Sequence, residues 1–194
     1  MKKAFVLLLI STAFATQLTS QHVAIKSNLL YGAYTRTPNI GTEIVVGKRS
    51  SIDLSGGYNP WNIKGSASNN KKLVHWLANA EYRYWICQSL FGHFIGVNVI
   101  GSQYNIAGHK LPLLFGRSSK EYRHEGYAVG AGFSYGYQFL LSQHWNLELN
   151  IGVGYAYLDY SRYNCVKCGS LIDKKHKNYF GPTKAGISVA YLIK

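Results

Sequence analysis

The stretch Gly126-Tyr127-Ala128-Val129-Gly130-Ala131-Gly132-Phe133-Ser134-Tyr135-Gly136-Tyr137-Gln138-Phe139 decides how this chain is read. Its odd positions (Tyr127, Val129, Ala131, Phe133, Tyr135, Tyr137, Phe139) are mostly apolar or aromatic, and its even positions are small or polar. Side chains alternate between the two faces of a β-strand, so such a segment has one greasy, aromatic-bordered face and one small, polar face. That division suits a strand held between lipid and a tightly packed barrel lumen.

Working outward, the same period recurs in about eight segments. The pattern predicts strands over residues 22–34, 40–47, 51–58, 74–86, 93–104, 122–140, from 145 to about 160, and 179–193. In the fourth, Val74, Trp76, Ala78, Ala80, Tyr82, Tyr84 and Ile86 share a face, and in the seventh so do Trp145, Leu147, Leu149, Ile151, Val153, Tyr155 and Tyr157. The fifth is ambiguous, because Ile95, Val97 and Val99 compete with Phe94, Ile100 and Tyr104 for the outward face. Connections at 62–72, 105–121 and 161–178 are long, and the others are short turns. With an even strand count and both termini periplasmic, the long connections all fall on the outside, an asymmetry typical of outer-membrane barrels. The fold expected is therefore all-β: an eight-stranded antiparallel up-and-down transmembrane β-barrel.

Residues 1–20 read as an export leader, with Lys2 and Lys3, an apolar run from Ala4, and cleavage after Ala15 or after Ser20. Residues 21–194 would form the barrel. No later stretch approaches the roughly 20 apolar residues of a spanning helix. The near-zero mean hydropathy does not discriminate, since barrel strands average a lipid face with a polar one.

The formal charge of +13 falls to +11 without the two leader lysines. In an exported protein this favours anionic lipid head groups and surface glycans over nucleic acid. Lys64, Lys71, Lys72, Lys110, Arg117, Lys120, Arg162, Lys167, Lys174, Lys175 and Lys177 lie in the long connections. They are candidates for binding an anionic partner such as lipopolysaccharide phosphate.

Charges within the strands form a second group. Lys26, Glu43, Asp53, Glu81, Arg83, Glu148 and Lys184 all fall opposite the apolar stripe, so one lumen would hold four carboxylates and three cations. An eight-stranded barrel is normally filled by its side chains, so a polar plug is expected and no open pore. Trp61, Trp76, Trp85, Trp145, Tyr104, Tyr122 and Tyr160, near strand ends, are expected in interfacial girdles.

Cys165 and Cys168 frame a Cys-Val-Lys-Cys run, which outside the inner membrane reads first as a loop disulfide, with a metal site or free thiols as alternatives. Cys87 stands alone as a buried or turn residue. The glycines at 130, 132 and 136 lack the strand-loop-helix context of a nucleotide loop. The scattered histidines make no nucleophile-base grouping. No metal, cofactor or catalytic residue is expected, and a lipid-modifying enzyme is the minor alternative.

The motifs Asn28-Leu29-Leu30-Tyr31, Asp53-Leu54-Ser55-Gly56, Tyr58-Asn59-Pro60-Trp61, Glu81-Tyr82-Arg83-Tyr84-Trp85, Gly152-Val153-Gly154-Tyr155 and Tyr179-Phe180-Gly181-Pro182-Thr183-Lys184 extend across nearly the whole mature chain. In them, with Gly92-His93-Phe94, Leu158-Asp159-Tyr160 and the Cys165–Gly169 run, the chain resembles a Bacteroidetes-type family of small outer-membrane barrels catalogued as a domain of unknown function. The resemblance implies an outer-membrane location and a signal peptide, and it carries over no catalytic residue. Genes of that family often lie near fimbrillin-like loci, and the resemblance thereby implies an accessory role in fimbrial assembly or anchoring, with a fimbrial or other surface protein as partner.

Overall fold

A computed structural model describes residues 23–65, 70–108, 122–164 and 169–193. Among these, the chain forms β1 (Val23–Asn28), α1 (Leu29–Thr35), β2 (Asn39–Gly47), β3 (Ser50–Asn59), β4 (Asn62–Gly65), β5 (Asn70–Trp85), β6 (Gly92–Ala107), β7 (Tyr122–Leu140), β8 (Trp145–Asn164) and β9 (Leu171–Ile193). Eight strands make one closed antiparallel ring, in the order β1-β2-β3-β5-β6-β7-β8-β9 and back to β1. Two pairings complete it: Ser50↔Tyr84 through Asn59↔His75 join β3 to β5, and Val23↔Ile193 through Asn28↔Ser188 join β1 to β9. The short β4 pairs with the first residues of β5 and prolongs that hairpin beyond the ring.

The alternation of the sequence is the alternation of the wall. Along β7, Tyr127, Val129, Phe133, Tyr135 and Phe139 are exposed on the outside, while Ser134 and Gln138 are buried within. In β6 the ambiguity resolves cleanly: Ile95, Val97 and Val99 face out, and Phe94 and Tyr104 face in. At some points of the wall a side chain has no room. A Cβ on Gly154 of β8 would come within 2.3 Å of the Ala131 carbonyl oxygen on β7, so the close approach of these strands requires glycine there.

Three expectations need correction. The first strand stops at Asn28 and does not continue to residue 34. The Asn28 side chain accepts a hydrogen bond from the Tyr31 N–H at 3.0 Å, capping a helix that Arg36 ends in the left-handed conformation at φ 54°. Leu29, Tyr31 and Ala33 satisfied a period of two, but the cap decided the backbone.

The connections at 62–72 and 161–178 are largely β-ribbon. β8 runs to Asn164 and β9 begins at Leu171, because backbone pairing persists past the point where an apolar face imposes alternation. Finally, Trp85, Tyr104 and Tyr160 do not belong to a girdle. Their parity turns them inward: Trp85 and Tyr104 are buried, and Tyr160 packs half-buried against the cluster that holds Ala156 and Leu158.

The two ends of the ring differ. Short turns follow β2, β5 and β7 at the end holding the β1 start and the β9 end, where the Leu192 N–H donates to the His144 carbonyl at 2.8 Å. The β3–β5 and β8–β9 ribbons project from the opposite end.

Candidate functional site

The lumen is stacked in three layers. Nearest the termini lies an apolar floor of Ala24, Trp85, Leu90, Phe94 and Ala190. Trp85 and Phe94 hold their ring centres 4.9 Å apart, and the Trp85 indole N–H donates to Ser51 Oγ at 2.8 Å, so the tryptophan's polar edge is satisfied.

Above the floor sits an ion cluster. Register places Glu43 opposite Asp53 and Asp53 opposite Glu81, a row of three carboxylates on adjacent strands β2, β3 and β5. Like charges placed so are destabilising unless neutralised. Arg83 neutralises them from two positions along β5. Its Nη1 reaches Glu43 at 3.0 Å and Glu148 at 2.8 Å, its Nη2 reaches Glu81 at 2.9 Å, and its guanidinium lies 4.3 Å above the Phe94 ring.

Lys26, from β1, donates to Glu43 at 2.7 Å and Glu148 at 3.0 Å and also contacts Asp53. Lys184, from β9, pairs with Glu81, which further accepts from the Ser134 hydroxyl. Asn150 Nδ2 donates to Glu148 at 2.6 Å. All seven charged residues singled out by strand parity thus meet in one network, drawn from β1, β2, β3, β5, β8 and β9. Removing ions from water costs several kcal/mol apiece, and this multiple pairing is what offsets it. Space is tight: a Cβ on Gly96 would sit 2.5 Å from Glu81 Oε1 and 2.6 Å from Ser134 Oγ.

The third layer, toward the ribbons, is different in kind. A cavity of about 350 Å³ lies there, and most of its wall is apolar: Leu73, Leu77, Ile100, Ile106 and Leu158 project into it. Leu73, Tyr104, Ile106, Ala156 and Leu158 also pack together as a buried cluster. Room exists because Ala128 and Ala156, inward on β7 and β8, are small. One polar pair borders it. The Tyr31 hydroxyl lies 2.7 Å from His75 Nε2, and His75 Nδ1 lies 3.0 Å from the Leu73 carbonyl oxygen. A ring nitrogen that donates to that carbonyl leaves Nε2 to accept from the tyrosine. Sequence reading missed both the cavity and this pair, since residues 31 and 75 are joined only by the helix that interrupts the first strand.

The basic residues of the connections separate into two sets. Lys71 and Lys72 stand at the start of β5, and Lys174, Lys175 and Lys177 stand on β9 in the other ribbon, so strands that are not ring neighbours carry them. Lys175 lies 3.3 Å from Asp173, and Arg162 clasps the same carboxylate, with Nε–Oδ1 at 2.6 Å. This clasp holds the Asp173 pKa down to about 2. Lys110, Arg117, Lys120 and the Cys165–Cys168 pair expected as a disulfide lie outside the described residues, as do Lys167 and the expected leader. Cys87 is a free, exposed turn residue. Among the described residues no three His, Cys, Asp or Glu side chains are placed to hold a metal ion. The lumenal carboxylates are taken by lysine and arginine.

No curated protein and no solved structure matches the chain. One family model does, over residues 4–193, and on that match the chain belongs to the family described as "Protein of unknown function (DUF3575)".

Proposed function

We propose that this protein is a non-enzymatic outer-membrane barrel with both termini in the periplasm, whose basic ribbons meet anionic groups at the cell surface. The observation that carries the reading is the outer face of the ring. Every ring strand presents large apolar side chains outward, among them Ile25, Ile40, Leu54, Tyr82, Val97, Phe133, Ile151 and Ile187, with Phe133 69% and Ile151 66% exposed. Water-soluble monomers seldom expose contiguous apolar surface beyond a few hundred Å². Hydrocarbon is the solvent that suits such a surface, and the β1–β9 pairing closes the ring, so that only the part of β9 beyond the reach of β1 lacks a strand on its other edge.

Aromatic residues support the same reading. Trp145 and Tyr191 pack edge to face with ring centres 5.0 Å apart near the terminal end, and Tyr58 pairs with Trp76 across β3 and β5 nearer the ribbons. Two such levels fit the two interfaces of a bilayer. The test is heat-modifiable gel migration of protein extracted from membranes. A folded barrel migrates differently before and after boiling, and identical migration would overturn the reading.

The surface role is supported by Lys71, Lys174, Lys175 and Lys177, exposed on ribbons at the end away from the termini. Their partner would be lipopolysaccharide phosphate. Reversing Lys174, Lys175 and Lys177 to glutamate should weaken binding to lipopolysaccharide-doped vesicles at low salt and leave little difference at high salt. Equal binding by both proteins would remove the electrostatic role.

A further inference from the structure

The ring wall is not uniformly sealed, and the weak place adjoins the apolar cavity. β1 is six residues long and pairs with β9 only from Ser188 to Ile193. From Leu171 to Ile187, β9 is paired with β8 on one side, and among the described residues no strand pairs with its other edge. Helix α1 lies against that edge in place of a strand. The Asn28 side-chain Nδ2 donates to the Ala185 carbonyl at 3.4 Å, and Pro182, within the unpaired stretch, has no N–H to leave unsatisfied.

Residues from both sides of this seam line the cavity: Tyr31, Tyr34 and Thr35 from α1, and Tyr179, Pro182 and Thr183 from β9. On the outer side the same region bears Leu29, Leu30, Tyr34 and Phe180, the last two 73% and 82% exposed. Below, the ion cluster and the Trp85–Phe94 floor close the lumen, so the cavity is a dead end.

The geometry points to a lateral lipid site: the end of one hydrocarbon chain of a membrane lipid enters sideways between α1 and β9 and occupies the upper lumen. This rests on the membrane-spanning reading above. An apolar cavity of ~150 Å³ already stays dry and admits benzene. At about 350 Å³ this one has room for a longer chain, and its size and lining fall in the range of ligand pockets. The chain, unlike a polar solute, needs few hydrogen-bonding partners, which is what the wall provides. A path through the seam spares it any passage through water.

The test is photo-crosslinking in phosphatidylcholine vesicles doped with a phosphatidylcholine bearing a diazirine at one chain terminus, with adducts mapped by mass spectrometry. Adducts are expected on inward Leu73, Ile106 or Leu158 as well as on outward Val129, Phe133 and Ile151. Ala128→Phe, which fills the cavity, should lose the inward adducts and keep the outward ones; Leu73→Phe serves the same purpose, and the wild-type map decides should neither fold. Outward adducts without inward ones overturn the lipid site while leaving the barrel in its membrane. Absence of outward adducts as well would instead overturn the membrane reading.

Discussion

The lower and upper halves of the lumen are built on the same strands yet follow opposite rules. Below, inward positions carry Lys26, Glu43, Asp53, Arg83 and Glu148, and the space is filled by ions held at hydrogen-bonding distance. Above, the same parity on β5, β6 and β8 gives Leu73, Leu77, Ile100, Ile106 and Leu158, and a cavity remains. Strand parity thus dictates only what points inward. Whether the interior is filled depends on side-chain length: arginine and glutamate reach the axis from opposite walls, whereas leucine facing alanine does not.

The largest effect should come from breaking the lower half. Arg83→Met leaves four carboxylates with two lysines, and removing one partner from a buried charge network costs about 3–5 kcal/mol. A shift of the unfolding midpoint in denaturant measures it, and an unchanged midpoint would mean that the cluster does not organise the lumen. The next effect lies outside the ring. Ile151→Arg in vesicles should cost about 2–4 kcal/mol if residue 151 faces the bilayer midplane, and almost nothing if that face meets water.

The two halves can then be set against each other directly. Gly96→Ala thrusts a methyl group against Glu81 and Ser134 and should cost about 1–3 kcal/mol as overpacking. Ala128→Leu, directed into the cavity, should be neutral or stabilising by up to about 2 kcal/mol, as cavity filling commonly is. Equal penalties would erase the distinction drawn here.

The smallest effect concerns the β8–β9 ribbon. Because Arg162 depresses the folded-state pKa of Asp173 to about 2, below the ordinary value of about 3.9, the clasp is at full strength above about pH 4. It is lost as pH falls through about 2. The Arg162 side-chain NMR signal should follow that transition, Asp173→Asn should abolish it, and global unfolding should not change.

How much of this was legible in the sequence follows from which forces impose a pattern. Where one face of a strand is apolar and the other faces a packed lumen, alternation is enforced residue by residue, so β7 was readable to its boundaries and the seven lumenal charges could be assembled from parity alone. Beyond the apolar belt nothing enforces alternation, and the ribbon of β8 and β9, rich in Lys174, Lys175 and Lys177, therefore read as a loop. Leu29, Tyr31 and Ala33 satisfied the strand period, and the signal that overrode it was the cap at Asn28. The cavity left no sequence mark, because small inward residues such as Ala128 read as close packing until the opposite wall is known.

The row of Glu43, Asp53 and Glu81 bears on the order in which the chain assembles. A partial sheet of β2, β3 and β5 brings three negative charges side by side with only Arg83 to balance them, and Lys26 reaches them only once β1 has docked. Lys184 arrives with β9, the last strand made, which must also meet β1 from the opposite end of the chain. Incomplete intermediates are thus penalised in proportion to what they lack. Folding of this ring should be cooperative, with the final joining of first and last strands as the step that releases the accumulated repulsion.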